Sequence, residues 1–135
     1  MNINLEDENL SKFECNEIKR LLAKEKKGLD DLEQIWYLMD LVWDEYNCDN
    51  INFNFDNISK FYSHPLWILN GLFIEQHNVS MGHRDAISDW VVGLGCKDVS
   101  DFGGGFGTLA RLIAKKDSNI NMDIYEQYPS DYALK

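Results

Sequence analysis

The stretch Asp101-Phe102-Gly103-Gly104-Gly105-Phe106-Gly107 carries the residue types and spacing best suited to chemistry. Three glycines alternate at 103, 105 and 107, and an acid stands two residues before the first. A tight turn leaving a strand needs residues that tolerate positive φ, and a ligand that approaches the backbone needs absent side chains. A helix after such a turn presents unpaired N–H groups and the positive end of its dipole. That arrangement suits a ligand carboxylate or the polar edge of a nucleoside. Ala110, one turn into the following helix, would let helix and strand approach closely.

These residues resemble motif I of the class I S-adenosylmethionine-dependent methyltransferases. That pattern is acid-x-Gly-x-Gly-x-Gly at the end of a first strand, and Asp101, Gly103, Gly105 and Gly107 match every fixed position. The resemblance also implies an acid at the end of the second strand, and Glu126 stands there, 19 residues after Gly107. It implies S-adenosylmethionine as the cofactor. Glu126 would accept both ribose hydroxyls, a task suited to a carboxylate with two acceptor oxygens. Gly103, Gly105 and Gly107 would line the methionine moiety, with Phe102 and Gly104 completing the loop. Asp101 would brace the loop or hold the cationic amino group, and Gln127 and Tyr128 would flank the adenine. The resemblance covers residues 97–128. Upstream, Asn70-Gly71-Leu72-Phe73 through Ser80-Met81-Gly82-His83-Arg84 looks like the helical lead-ins of bacterial small-molecule or sugar methyltransferases. The implied acceptor is then an oxygen or nitrogen of a small molecule or sugar. Arg84 is a candidate partner for the cofactor carboxylate; a surface arginine beside Asp85 is the plainer reading.

Two other readings of the loop stay open. Gly105-Phe106-Gly107-Thr108-Leu109-Ala110 fits the Gly-x-Gly-x-x-Gly/Ala pattern of a nicotinamide-dinucleotide fold in an oxidoreductase. The first glycine of that fingerprint should leave the strand directly, whereas Gly105 lies two residues beyond Gly103, and Asp101 would then have no task. The glycines could also form a purely structural turn. A phosphate-binding P-loop is excluded, because no Gly-Lys-Ser/Thr follows.

The elements that must position this loop follow from pattern. Lys97 to Phe102 predicts a strand, Thr108 to Lys116 a helix with Leu109, Leu112 and Ile113 on one face, and Asn121 to Glu126 a second strand. Asp117-Ser118-Asn119 marks the turn between the last two. The order is a βαβ unit. Before it the chain reads as four helices. The first begins at a Ser11–Glu14 capping box, carries Phe13, Ile18, Leu21 and Leu22, and ends by Gly28. The second begins at Asp30, with Glu33 three residues on, and carries Leu32, Ile35, Trp36, Met39, Val42, Trp43 and Tyr46. Residues 47–57 are asparagine-rich and predict a loop. A third helix starts at Pro65 and carries Leu66, Trp67, Leu69, Phe73 and Ile74. Gly71 interrupts it, at about 1 kcal/mol relative to alanine. Ser80 caps a fourth, with Ile87, Trp90, Val91 and Leu94 inward and Gly93 and Gly95 at its end.

The fold class expected is therefore α/β: a helical cap over residues 1–95, then residues 96–135 as the start of a Rossmann-like cofactor domain. A class I methyltransferase has about seven strands, and 34 residues follow Asp101. The fold is expected to be incomplete, with an unpaired edge on the first strand. Three explanations stand: the N-terminal part of a longer enzyme, half of a split enzyme completed by a C-terminal polypeptide, or a non-enzymatic helical interaction module with a vestigial cofactor loop. On the first, the chain alone has no turnover, and its catalytic base lies elsewhere. A homo-oligomer also stands open.

Composition bounds the remaining classes. The 135 residues are 44% hydrophobic with a net charge of −10. This argues for a globular chain and against a nucleic-acid partner, since no basic footprint exists to displace phosphate counterions. No apolar run can span a bilayer, and the N-terminus Met-Asn-Ile-Asn-Leu-Glu-Asp-Glu is acidic where a secretory signal is basic. The expectation is a cytoplasmic protein. Cys15, Cys48 and Cys96 form no Cys-x-x-Cys pair, and an odd count suits reduced thiols. His64, His77 and His83 lack helix-face spacing, so no metal site is expected. His64 before Pro65 reads as a helix cap rather than a catalytic base, and no Ser-His-Asp or Cys-His set emerges.

Overall fold

Backbone N–H groups at a helix start have no partner within the helix, and the sequence supplies one at most of the starts. In a computed structural model, which describes residues 1, 3–5 and 9–134, the chain forms six helices and one parallel strand pair. The acidic positions 6–8, on which the reading of the N-terminus leaned, lie outside the described residues. The chain divides into two compact units, residues 1–70 and 71–135.

The first unit is helical. Helix α1 (Lys12–Leu22) and helix α2 (Asp31–Glu45) both start at complete capping boxes, Ser11 with Glu14 and Asp30 with Glu33. Helix α1 stops at Ala23, five residues before Gly28, which instead turns the connecting loop at φ 92°. Buried Gln34 closes that loop, accepting from the Lys26 N–H at 3.0 Å and donating to the Lys26 carbonyl. The core consists of Ile18, Leu21, Ile35, Leu38, Val42 and Phe61, with Leu66, Ile68 and Leu69. Phe13 and Trp36, expected inward, are exposed, and Leu38 takes the inward place. A helix buries one face only. The tertiary partner selects the Ile35–Leu38–Val42 stripe, and Trp36 is rotated about 100° from Ile35.

The asparagine-rich segment is a loop only as far as Asn54. Helix α3 (Phe55–Tyr62) follows, because the Asn54 side chain accepts from the N–H groups of Asp56 and Asn57 at 3.1 and 3.2 Å. Helix α4 (Leu66–Gln76) begins in the first unit and ends in the second. Its first positions are accounted for. Pro65 has no N–H, Leu66 donates to the His64 ring at 3.0 Å, and Trp67 donates to the His64 carbonyl at 3.0 Å. His64 is thus a cap, as its place before Pro65 indicated.

In the second unit, helix α5 (Asn78–Gly93) is capped by His77, whose ring accepts from Ser80. Ser80 therefore stands inside the first turn rather than before it. Strand β1 (Asp98–Phe102), helix α6 (Thr108–Lys116) and strand β2 (Asn121–Tyr125) form the expected βαβ unit, with β1 parallel to β2 and Phe102 opposite Tyr125. Helix α5 packs on α6, and α6 also packs on β2. Ile87, Trp90 and Leu94 are exposed, contrary to expectation, and the small Ser88 is the buried residue of α5. Its hydroxyl is satisfied by the Asp85 carbonyl at 2.7 Å. Asp85 and Asp89, on the same face, hold Lys116 of α6 at 2.7 and 2.6 Å. Among the described residues the fold is mixed α/β, with five helices rather than four ahead of β1. No helix among the described residues is long and apolar enough to cross a membrane.

Candidate functional site

The end of β1 delivers the glycine loop. The ladder continues one residue past the strand, with the Gly103 N–H donating to the Tyr125 carbonyl at 2.8 Å. Gly103, Gly105 and Gly107 all take positive φ, at 73°, 54° and 68°. That is the left-handed region where a side chain is strained and glycine is not. Gly107 is also a close approach: a methyl there would lie 2.7 Å from Ile124 Cδ1 of β2. Gly104, at ordinary φ, is required for space, since a methyl would meet Ile124 Cγ2 at 2.8 Å and Asp101 Oδ2 at 2.9 Å. The loop closes on itself through Gly107 N–H to the Gly104 carbonyl at 2.8 Å, and the Arg111 N–H to the Gly107 carbonyl opens α6.

Glu126 reaches this loop from the end of β2. One carboxylate oxygen accepts from the Gly105 N–H at 3.1 Å, and the other accepts from the Tyr128 N–H at 3.0 Å. Asp101, half-buried, stands against Gly104 on the β1 side. The two acids that sequence separates by 25 positions therefore flank one loop. Phe102 is 77% exposed and stacks on Tyr125 across the strand pair, centroids 4.7 Å apart. Gln127 is exposed and donates to the Tyr128 hydroxyl at 3.1 Å. Arg84 donates to the Ser80 carbonyl of its own helix at 3.1 Å rather than to any group of the loop.

Two participants escaped the reading of the sequence. Glu75, at the end of α4, accepts from the Thr108 hydroxyl at 2.6 Å and pairs with Arg111, so it ties down the first turn of α6. Nothing in its local pattern marks it. Phe106 packs against Gly71, where a methyl would meet its ring at 2.5–2.7 Å, and lies 5.1 Å from the Tyr132 ring. The signal for that contact was present: a glycine interrupting an apolar helix. Among the described residues no group of three His, Cys, Asp or Glu side chains is placed to hold a metal ion.

The arrangement is a backbone cradle bordered by two carboxylates at the C-terminal ends of parallel strands, where open α/β sheets bind ligands. A carboxylate that accepts two N–H groups keeps lone pairs for ligand hydroxyls. Searches against family models, curated proteins and solved structures find no match for this chain.

Proposed function

We propose that the loop and Glu126 form the S-adenosylmethionine-binding element of a methyltransferase acting on an oxygen or nitrogen of a small molecule or sugar. The observation that carries this reading is the carboxylate of Glu126 lying on the Gly105 N–H. In a phosphate-binding glycine loop that N–H points at the anion. Here the chain's own carboxylate takes it, with Asp101 on the other side, so an approaching diphosphate would meet like charge from both strands. A ligand with hydroxyls and a positive charge meets the opposite situation. The end of β1 at Phe102 favours the same reading, because Gly103 leaves the strand and Gly105 does not.

The residues present fit such a cofactor. Gly103 and Gly105 have open space where a side chain would stand, Glu126 offers acceptor oxygens, and Asp101 offers a counter-charge. S-adenosylmethionine, when bound, supplies an electrophilic methyl group on a sulfonium. The contribution of this chain is to bind and orient, and orientation alone accounts for much of the rate in such displacements. A general base is assigned to no residue here.

Calorimetric titration with S-adenosylmethionine and with NAD tests the proposal. Selective, even weak, S-adenosylmethionine binding is expected. Glu126→Ala should weaken it by about ten- to a hundredfold, the scale of hydrogen bonds to a charged group. Preferential NAD binding, or indifference to both at millimolar ligand, would overturn it.

A further inference from the structure

Phe106 is the one side chain in the segment Gly103–Gly107 other than hydrogen. Each glycine around it gains conformational freedom when unfolded, so the loop needs outside anchors to hold one shape. Two anchors come from β2. Ile124 supports Gly104 and Gly107, and Glu126 holds the Gly105 N–H. Gly105 itself has open space where a side chain would be, so packing does not fix it. The direction of its N–H is set by the peptides on either side, and the next residue is Phe106.

We propose that Phe106 is the positioning residue of the glycine loop, seated in a notch that Gly71 leaves in α4. Gly71 is buried inside a helix whose neighbours Leu69, Leu72 and Phe73 are all apolar and buried, and its backbone shows no positive φ. Its conformation therefore does not demand glycine. The Phe106 ring does, because alanine at 71 would put a methyl 2.5 Å from Cε2. Tyr132 stands 5.1 Å away by ring centroids. The contact reaches 35 positions along the chain and makes α4 a part of the loop's geometry. Its consequence for a ligand rests on the proposed cofactor reading; its consequence for the loop does not.

Amide hydrogen exchange of the whole chain, read residue by residue by NMR, tests this. Phe106→Ala introduces no clash, and its helix content should match the wild type. The Gly105 amide should exchange at least about tenfold faster, while Val99 and Asp101 in the ladder keep their rates. Gly71→Ala should give the same selective loss. The double variant should be no worse than Phe106→Ala alone, because the ring that the methyl strikes is gone. A folded Phe106→Ala protein with unchanged Gly105 exchange overturns the proposal. So does a Gly71→Ala effect that persists in full when Phe106 is already alanine. If Gly71→Ala does not fold, Phe106→Ala decides alone. Titration of the wild type with S-adenosylhomocysteine is separate: failure there removes the cofactor reading and leaves the amide result standing.

Discussion

His64 should make the first unit sensitive to mild acid. Its ring is buried, with 6% of its surface exposed. The Leu66 N–H can only donate, so Nδ1 must be the acceptor of that 3.0 Å bond. The proton then sits on Nε2, which donates to Glu17 Oε1 at 3.0 Å. Protonation would put an N–H at Nδ1 against the N–H it now receives. Burial lowers the His64 pKa; the Glu17 carboxylate of α1, and less strongly Glu45 of α2, oppose that shift, while Arg20 adds to it. The Tyr46 ring lies at 5.8 Å. A histidine with a depressed native pKa binds fewer protons folded than unfolded. Its stabilisation is complete above the unfolded value of about 6.5 and is lost as pH falls through that value toward the native one. The loss is capped by the unfolded state's proton affinity, so it amounts to at most about 1.4 kcal/mol at pH 5.5. For a unit of this size that corresponds to a fall in Tm of up to about 6–11 °C. The carboxylates of this cluster titrate in a separate window. Glu17 is lowered chiefly by its hydrogen bond to Arg20, and Glu45 is brought down to about 2, also chiefly by Arg20, so the stability they contribute is fully present above pH 4.5 and is lost only below it. Urea unfolding at pH 7.5 and 5.5 should be compared for wild type and His64→Asn. Asparagine keeps an acceptor for the Leu66 N–H and cannot titrate. The variant should be less stable at pH 7.5 and show a smaller loss between the two pH values; His77 and His83, common to both, cancel in the difference. Equal losses in wild type and variant would refute the argument.

Two further expectations follow from the same accounting. Ser11→Ala and Asp30→Ala each remove a side-chain partner from a helix start, and each should cost about 1 kcal/mol in urea unfolding. Gly107→Ala should destabilise more than Gly105→Ala, since both force a methyl into positive φ but only 107 strikes Ile124. Adding Ile124→Val, which removes the Cδ1 atom, should recover part of the Gly107→Ala loss and none of the Gly105→Ala loss; recovery of both would sink the steric explanation.

Features set by near neighbours were legible in the sequence. The capping boxes at Ser11 and Asp30, the bounds of α6, the turn at 117–119 and the pairing order of β1 and β2 depend on residues close in the chain. The start of α3 was equally local, at Asn54, and was obscured by the asparagines around it. Inward faces were harder to read. In α2 apolar residues occupy most of the circumference, so spacing alone admits several stripes, and only packing selects Ile35, Leu38 and Val42. In α5 the choice fell on Ser88 because a small residue with a satisfied hydroxyl allows a close helix approach. Large apolar residues at 87, 90 and 94 were left outside. Glu75 and Phe106 act across more than 30 positions, beyond the reach of any local pattern.

The candidate site is built with unusual economy of chain. Asp101 is the penultimate residue of β1, Glu126 directly follows β2, and the loop after β1 starts a helix that packs on β2. A parallel pair requires a crossover, and the crossover here is the glycine loop plus α6. Every group that borders the cradle therefore lies within residues 101–126, and its relative placement is set by a single βαβ unit. That unit supplies only part of the stiffness needed by five consecutive positions of which four are glycine. Beyond the supports from Ile124 and Glu126, further stiffness comes from outside the unit, from Gly71 and Glu75 of α4, one receiving the Phe106 ring and the other fixing Thr108. A substitution in that distant helix can accordingly alter the loop while leaving every residue of the glycine motif unchanged.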